Sequence, residues 1–278
     1  MGSVWATRRA RALRLIAEAP HAEEILSTYA DLTELQERVG ERVPTRLWSA
    51  LVGAADGRAP RLRLERLPVD EMAPLFADFL AKAGDLGTDV MRADAGALSS
   101  APATARVALF GVALAERTEA DEAPPFHVRA FLQPVAIALA EASAVADTAA
   151  SRRAETLRLD RCPTCGSPPV VGTLQDLPGA LGSRSLVCGV CGCAWRIPRL
   201  TCAHCGETDA TRLAVHAAES LPHVRVDECL SCARYLKTVD LRSRGDAVPL
   251  VDDLASVELD LWARERGLQK VETNLFGL

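Results

Sequence analysis

Aromatic residues are scarce in this chain of 278 residues. Phenylalanine, tryptophan and tyrosine together make up 4% of it, although 49% of the residues are hydrophobic. A core of this composition is built mainly from aliphatic side chains and alanine, which favours helices that pack closely through small side chains. The length is sufficient for one large domain or two modest ones with a substantial core.

Cysteine is absent from the first half of the chain, and Cys162 is the first of the nine cysteines. Eight of them form four Cys-x-x-Cys pairs, an arrangement that suits metal ligands better than a disulfide framework. Thiols of this kind persist in a reducing compartment. We therefore expect a cytoplasmic protein.

Long apolar runs are also missing. The longest uncharged run in the most apolar region, Ala130–Ala140, is too short to span a membrane. Arg8 and Arg9 form a twin arginine, but Arg11 and Glu18 place charges where an export signal needs an apolar segment. We expect neither a membrane span nor an export signal.

A basic excess is not found either. The formal net charge is −5, and residues 151 to 245 carry 13 Lys or Arg and 9 Asp or Glu. Eight thiolates around two divalent ions would add about −4, so this region would be close to neutral. A zinc ribbon that binds nucleic acid needs an excess of positive charge that remains after the charge of the metal-bound thiolates is counted. We expect no nucleic-acid partner.

The cysteine pairs predict two metal sites. One Cys-x-x-Cys turn directs two thiolates at an ion about 2.3 Å away, so two turns complete a tetrahedral shell. The predicted ligands are Cys162, Cys165, Cys188, Cys191, Cys202, Cys205, Cys229 and Cys232.

The spacing of the pairs indicates which of them combine. The gaps within the first and second couples, 166 to 187 and 206 to 228, are long and nearly equal, whereas the gap between the couples, 192 to 201, is much shorter. Near-equal long gaps suggest one rubredoxin-like or zinc-ribbon-like module used twice, which predicts sequential pairing. An interleaved arrangement, first pair with third and second with fourth, would also give two tetracysteine sites.

Glycine follows three of the four pairs, at Gly166, Gly192 and Gly206. We expect positive φ at these positions, because the backbone must turn so that its N–H groups face the sulfurs. The fourth pair is followed by Ala233, which predicts a more strained or less well packed site.

Four thiolates leave no open coordination position, which disfavours hydrolysis at the metals and leaves structural support or, with iron, electron transfer or redox sensing. The ligand set alone does not separate zinc from iron, and zinc is the commoner choice for a generic ribbon.

Cys193 lies next to the first four predicted ligands and is either a substitute ligand, a reactive thiol or, as we favour, a small buried residue. The histidines near the pairs, His204, His216 and His223, are not needed as ligands. No pattern of catalytic residues stands out, so we expect no enzyme.

Apolar residues three or four apart predict four helices in the first half of the chain. Pro134 predicts a kink or a helix start near Gln133. Arg61, Arg63 and Arg66 alternate with leucines, which we interpret as a solvated segment with its leucines inward. The predicted helices are Glu23–Val39, Asp70–Gly84, Thr104–Arg117 and Phe126–Ala150.

A link at Arg152–Leu159 leads into short β-prone stretches at Pro169–Leu174, Ser185–Val187, Leu213–His216 and Val224–Val226, and a fifth strand is predicted after the last cysteine pair at Arg234–Leu241. A last amphipathic helix is predicted at Asp253–Gly267, with Leu254, Val257, Leu261 and Trp262 on its apolar side. The predicted fold class is α+β with two domains: an α-helical N-terminal domain, then two rubredoxin-like or zinc-ribbon-like tetracysteine modules and a C-terminal helix. The predicted boundaries are 1–155 for the helical domain, 156–199 and 200–245 for the two modules, and 246–278 for the C-terminal helix and its tail.

The cysteine-rich region resembles the FdhE family of formate dehydrogenase accessory proteins. The resemblance is specific over about 162 to 276 and loose before it. The residues that carry it are Arg161–Pro169, Cys188–Gly192 with Trp195, Cys202–Gly206, Glu228–Cys232 with Tyr235–Lys237, Asp253–Ala255, Leu259–Ala263 and Asn274–Phe276. Cys193 departs from the family pattern, which has a small polar residue there, and the N-terminus is shorter than the family's usual lead-in.

The resemblance implies a cytoplasmic maturation factor that does not itself oxidise formate. It implies iron at the cysteine pairs, the catalytic subunit of a respiratory formate dehydrogenase as partner, and a homodimer. On this basis iron replaces zinc as the preferred metal. The alternative function is a zinc-ribbon structural or adaptor protein for another assembly, such as one linked to nucleic acid.

Overall fold

The computed structural model describes residues 2–44, 46–52, 62–114, 124–146 and 159–278, with the side chains of 111–114 and 143–146 left undescribed. The predicted loop at 56–60, the predicted end of one helix at Arg117 and of another at Ala150, and most of the predicted link fall outside these ranges. The first predicted domain boundary lies there too. The boundary between the two modules stays a prediction.

The first half of the chain is helical. All four predicted helices are present within the described ranges, while α1, α3 and α5 were not predicted. Pro134 lies inside α7 and does not start a helix, so that alternative was wrong. The helices are α1 (Val4–Glu18), α2 (Glu23–Arg42), α3 (Leu47–Leu51), α4 (Val69–Ala83), α5 (Asp89–Ser100), α6 (Ala103–Leu114) and α7 (Phe126–Ala146).

The few aromatic side chains are concentrated in the core of this half. Phe76 lies 4.8 Å from Phe110 and 4.9 Å from Phe131 between ring centroids, and Phe79 packs beside them. Aliphatic residues of α1, α2 and α7 complete the core around them, together with the leucines at 62, 64 and 67 in the segment before α4. Those leucines point inward as the alternation of Arg and Leu predicted.

The second half forms one mixed sheet with strand order β3-β2-β1-β6-β5-β4, and β7 pairs with the first residues of β6, opposite β5. The five predicted strands are present, whereas β3 and β7 were not predicted. The strands are β1 (Pro169–Leu177), β2 (Ala180–Cys188), β3 (Ala194–Ile197), β4 (Leu213–Ala217), β5 (Val224–Cys229), β6 (Arg234–Asp240) and β7 (Gln269–Lys270).

The two cysteine-containing units repeat the same antiparallel topology and join head to tail. Each has a cysteine pair before its first strand and a second pair between its second and third strands. The joint is the parallel pairing of β1 with β6, where Gly172 faces Thr238. A Cβ at Gly172 would overlap Oγ1 of Thr238, so the close approach requires glycine.

The predicted final helix is two helices, α8 (Pro249–Ala255) and α9 (Val257–Glu265), which are separated at Ser256. The sequence prediction of one continuous helix was therefore wrong. Leu254 of α8 belongs to the core of the helical half, whereas Leu259 and Ala263 of α9 pack on the sheet. Leu261, predicted on the apolar side, is exposed. None of the helices in the described ranges combines the length and the hydropathy that crossing a membrane would require.

Candidate metal centres

The first four cysteines of the predicted ligand set lie together. Their sulfurs are all within 4.8 Å of one another, with 3.5 Å between Cys162 and Cys191 and 3.5 Å between Cys165 and Cys188. Four sulfurs placed tetrahedrally around an ion about 2.3 Å away are roughly 3.8 Å apart. The group therefore has the ligand number and the spacing to hold a metal ion.

The remaining four predicted ligands form a second group of the same size. The sulfurs of Cys202 and Cys232 are 3.8 Å apart, and those of Cys205 and Cys229 are 3.7 Å apart. The grouping is sequential, as the spacing predicted, and the interleaved arrangement does not occur. The fit of the thiols to a tetrathiolate shell is thus the same at both places.

Local backbone turns aim the sulfurs at a common centre. Gly166 N donates to Cys162 O at 2.9 Å, and the N–H groups of Val190 and Cys191 point at the Cys188 sulfur at 3.3 and 3.5 Å. His204 N lies 3.4 Å from the Cys202 sulfur in the same way. Such N–H groups stabilise thiolates.

The glycines after three of the pairs have φ angles in the left-handed region, 81° at Gly166, 71° at Gly192 and 76° at Gly206. The expectation of positive φ is confirmed at all three. Ala233 after the fourth pair also has positive φ, 53°, and no other non-glycine residue in the described ranges does. This backbone conformation is unfavourable for a residue with a Cβ.

The two groups differ in their surroundings. Cys162, Cys188 and Cys191 are buried and belong to the core of the helical half. Leu62 N donates to Thr164 O at 2.7 Å, so the segment before α4 contacts the first cysteine pair directly. In the second group Cys205 is exposed, and no described helix of the first half contributes to the core beside it.

The electrostatics of each group favour a bound cation. Hydrogen bonds with Cys165 and Cys188 raise the pKa of the Cys162 thiol, and those with Cys162 and Cys165 raise the pKa of Cys191. Burial raises the pKa of the Cys202 and Cys232 thiols in the second group. Hydrogen bonds with Cys162 and Cys188 lower the pKa of Cys165, so the thiols of one group do not ionise alike. A metal ion supplies the positive charge that lets all four ionise together.

Cys193 and two of the histidines are placed outside the ligand groups. Cys193 lies beside the first group, partly buried, and hydrogen bonding with Cys162 raises the pKa of its thiol. His216 bonds Glu228 at 2.7 Å, and His223 bonds Asp252 at 3.0 Å. Neither histidine belongs to a potential metal-binding group in the part of the chain that the structure describes.

A network of buried charges behind the sheet was not predicted. Lys237 of β6 lies 2.5 Å from Asp260 and 3.1 Å from Asp253, and Lys270 lies 2.9 Å from Asp253. Asn274 donates to Asp253 at 2.8 Å and ties the tail to α8. Periodicity could not indicate these contacts, although Lys237, Asp253, Asp260 and Asn274 all lie in the segments that carry the family resemblance.

Comparison with known proteins extends the resemblance. Models of the central domain and the C-terminal domain of FdhE match residues 161–199 and 200–276. A "Protein FdhE homolog" from Aquifex aeolicus is 41% identical over 116 residues, which are 42% of this chain and 41% of that protein. This match therefore spans about two fifths of the length of that relative.

Two further comparisons cover nearly the whole chain. A "Protein FdhE homolog" from Rhizobium meliloti is 24% identical over 269 residues, 92% of this chain and 84% of that protein. The crystal structure of the FdhE protein from Pseudomonas aeruginosa is similar with a TM-score of 0.76 and 25% identity, over 98% of this chain and 94% of that one. With both domain models matched and the fold shared from the helical half to the tail, this chain belongs to the FdhE family.

Proposed function

We propose that this chain is a maturation factor that binds the catalytic subunit of a respiratory formate dehydrogenase and supports its assembly or activation. The observation that carries this proposal is the pair of four-sulfur groups in a member of the FdhE family. A closed thiolate shell has no position for substrate, so the sites serve to build a surface or to transfer electrons. The chain itself then does not oxidise formate.

All eight cysteines are proposed ligands, and iron is the proposed metal at both sites. Zinc remains the alternative metal, above all in recombinant protein, because a tetrathiolate accepts both ions. Metal analysis of anaerobically purified protein with a visible absorption spectrum separates the two. Ferric tetrathiolate is red, whereas zinc, which has a filled d shell, gives a colourless protein.

The second site is the better candidate for the docking surface. Cys205 is exposed, and Leu230, which lies between the ligands Cys229 and Cys232, is 53% exposed. An exposed apolar side chain held on a rigid metal-bound turn suits a protein contact. The first site faces the molecule's own helices instead.

Co-purification with the catalytic subunit tests the proposal. C162S and C229S each remove one ligand and are expected to lose co-purification and activation, while C193S changes a cysteine outside both groups and retains them. L230D is expected to weaken binding, whereas L181D, at a leucine that is 80% exposed in β2, is not. Unchanged binding and activation in both C162S and C229S contradicts the proposal.

The proposed location is the cytoplasm, where the thiols stay reduced, and the proposed assembly is a homodimer, which sedimentation of the metal-loaded protein tests. The alternative function is a zinc-ribbon structural or adaptor protein for another assembly, such as one linked to nucleic acid. Zinc in both sites together with no co-purification of formate dehydrogenase would favour it.

A further inference from the structure

Arg8 stands out among the buried cations of the described ranges. Three of these cations contact a carboxylate: Arg11 contacts Asp252, Arg184 contacts Asp227, and Lys237 contacts Asp253 and Asp260. Arg8 is 3% exposed, and no ion pair to a carboxylate is found for it within the described residues. A buried charge without an opposite charge is strongly unfavourable.

The neighbours of Arg8 are dipoles and rings. Its guanidinium lies 4.8 Å from the centre of the Trp5 ring, and its Nη1 lies 3.5 Å from Oε1 of Gln133. The hydroxyl of Tyr29 also forms a hydrogen bond with the Arg8 side chain. These contacts hold the side chain in place but do not neutralise its charge.

Arg8 also contacts the backbone turn of the first tetracysteine group. A Cβ added to Gly192 would be 3.5 Å from Nη2 of Arg8, so the guanidinium rests against the turn that follows Cys191. Four thiolates around a divalent ion carry a net charge of about −2. Gln133 connects the two, because its Nε2 donates to Gly189 O of the same turn at 2.6 Å while its Oε1 faces Arg8.

We propose that Arg8 is the buried counter-cation of the first metal site, so that metal binding there and docking of α1 onto the cysteine modules stabilise each other. This inference rests on the proposed metal occupancy of that site. Metal loading places a buried anion, the four thiolates with their ion, beside Arg8, and the attraction is strong because little water separates the two groups. By linkage, the docked helix in turn raises the metal affinity of the site.

Metal affinity measured by chelator competition tests this role, with Co²⁺ absorption as the probe and C205S as the background that weakens the second site. R8M keeps an apolar stem but removes the charge and is expected to raise the dissociation constant of the first site about 10- to 100-fold. R8K keeps a positive charge and should recover most of the affinity. R9M is the control, since Arg9 is on the same helix but is 44% exposed and pairs with Glu34.

Thermal unfolding with and without metal separates the charge from packing. The increase in midpoint on metal loading should be smaller in R8M than in wild type and unchanged in R9M. A packing role alone would lower the metal-free and metal-loaded midpoints of R8M equally and leave the affinity unchanged, and that result overturns the inference.

Wild-type protein provides a test that does not depend on the folding of a variant. Metal loading should slow amide hydrogen exchange in α1 and α7, and equal exchange in both states overturns the inference. These experiments also distinguish a failure of this inference from a failure of the proposed function. Metal bound equally well by wild type and R8M defeats only the role of Arg8, whereas a wild-type first site that binds no metal removes the basis of both.

Discussion

Ala233 shows how one residue affects a metal site. It occupies the position where the other three cysteine pairs have glycine, and its φ of 53° lies in the region that glycine adopts without penalty. The strain expected from the sequence at the fourth pair therefore has a specific location, the backbone of one alanine. It lies at the second group, next to the ligand Cys232 in the chain.

A233G is expected to stabilise the metal-loaded protein by about 1 kcal/mol, because glycine relieves the left-handed strain. G206A at the matching position of the third pair should destabilise it by a similar amount. A Cβ at Gly206 would meet no atom within 4 Å, so its cost is conformational and not steric. Denaturant unfolding measures both variants. A destabilising A233G would show that the alanine is not strained.

Among the secondary-structure elements, the short helix α8 joins the two halves through two adjacent carboxylates. Asp252 accepts hydrogen bonds from Arg11 of α1 at 2.5 and 3.0 Å and lies 3.0 Å from His223. Asp253 accepts from Lys270 and Asn274 behind the sheet. Successive residues of a helix point about 100° apart, so the two neighbouring aspartates contact different parts of the molecule.

D252N is expected to cost about 3 to 5 kcal/mol of unfolding free energy at pH 7, since it leaves the buried Arg11 with only the exposed Asp246 as a carboxylate partner. Burial acts to raise the pKa of Asp252, but hydrogen bonds from His223 and Arg11 outweigh it and lower that pKa. The stabilisation is therefore complete above the unfolded pKa of about 3.9 and is lost as pH falls through the lower folded pKa.

The difference in unfolding free energy between wild type and D252N should accordingly become smaller below about pH 4, as urea unfolding at a series of pH values would show. D246N is the matched control: Asp246 also contacts Arg11 at 3.0 Å, but its side chain is 56% exposed. Its cost should be much smaller than that of D252N, because solvent screens the exposed pair. If the cost of D252N does not vary with pH, the ionised carboxylate of Asp252 is not the source of this stabilisation.

Across the molecule, the two metal sites occupy different environments although their ligand sets are the same. The first belongs to the core shared with the helical half, and the second has an exposed cysteine at the far end of the sheet. A chelator reaches an exposed ligand without prior opening of the core, whereas the buried site must first open.

Metal release to a chelator is therefore expected in two phases, with the second site faster by about tenfold or more, since opening the buried site costs free energy. C205S should remove the fast phase and leave the slow one. Stopped-flow mixing of the metal-loaded protein with a coloured chelator measures both. A single phase in wild type, with equal release from both sites, would show that burial does not govern release.

Much of the fold followed from short-range patterns. The apolar repeat of Glu23–Val39 needs no partner to be recognised as a helix, and the fixed reach of a Cys-x-x-Cys turn makes its spacing informative. The break at Ser256 could not be predicted, because the cause is distant in sequence. Lys237 of β6 donates to the carbonyl oxygens of Asp253 at 2.6 Å and Ser256 at 3.2 Å, which satisfies groups that the helix end would leave unpaired.

The order of the amino acids was enough to show which eight cysteines form two groups and that a helical half precedes them. Both follow from local spacing, since a turn or a helix face is set by residues within a few positions of one another. Three-dimensional packing was needed to show that the modules share one sheet through β1 and β6, that only the second group has an exposed cysteine, and that Arg8 faces the first group. Those features join residues far apart in the chain, and the whole set of tertiary contacts selects them together.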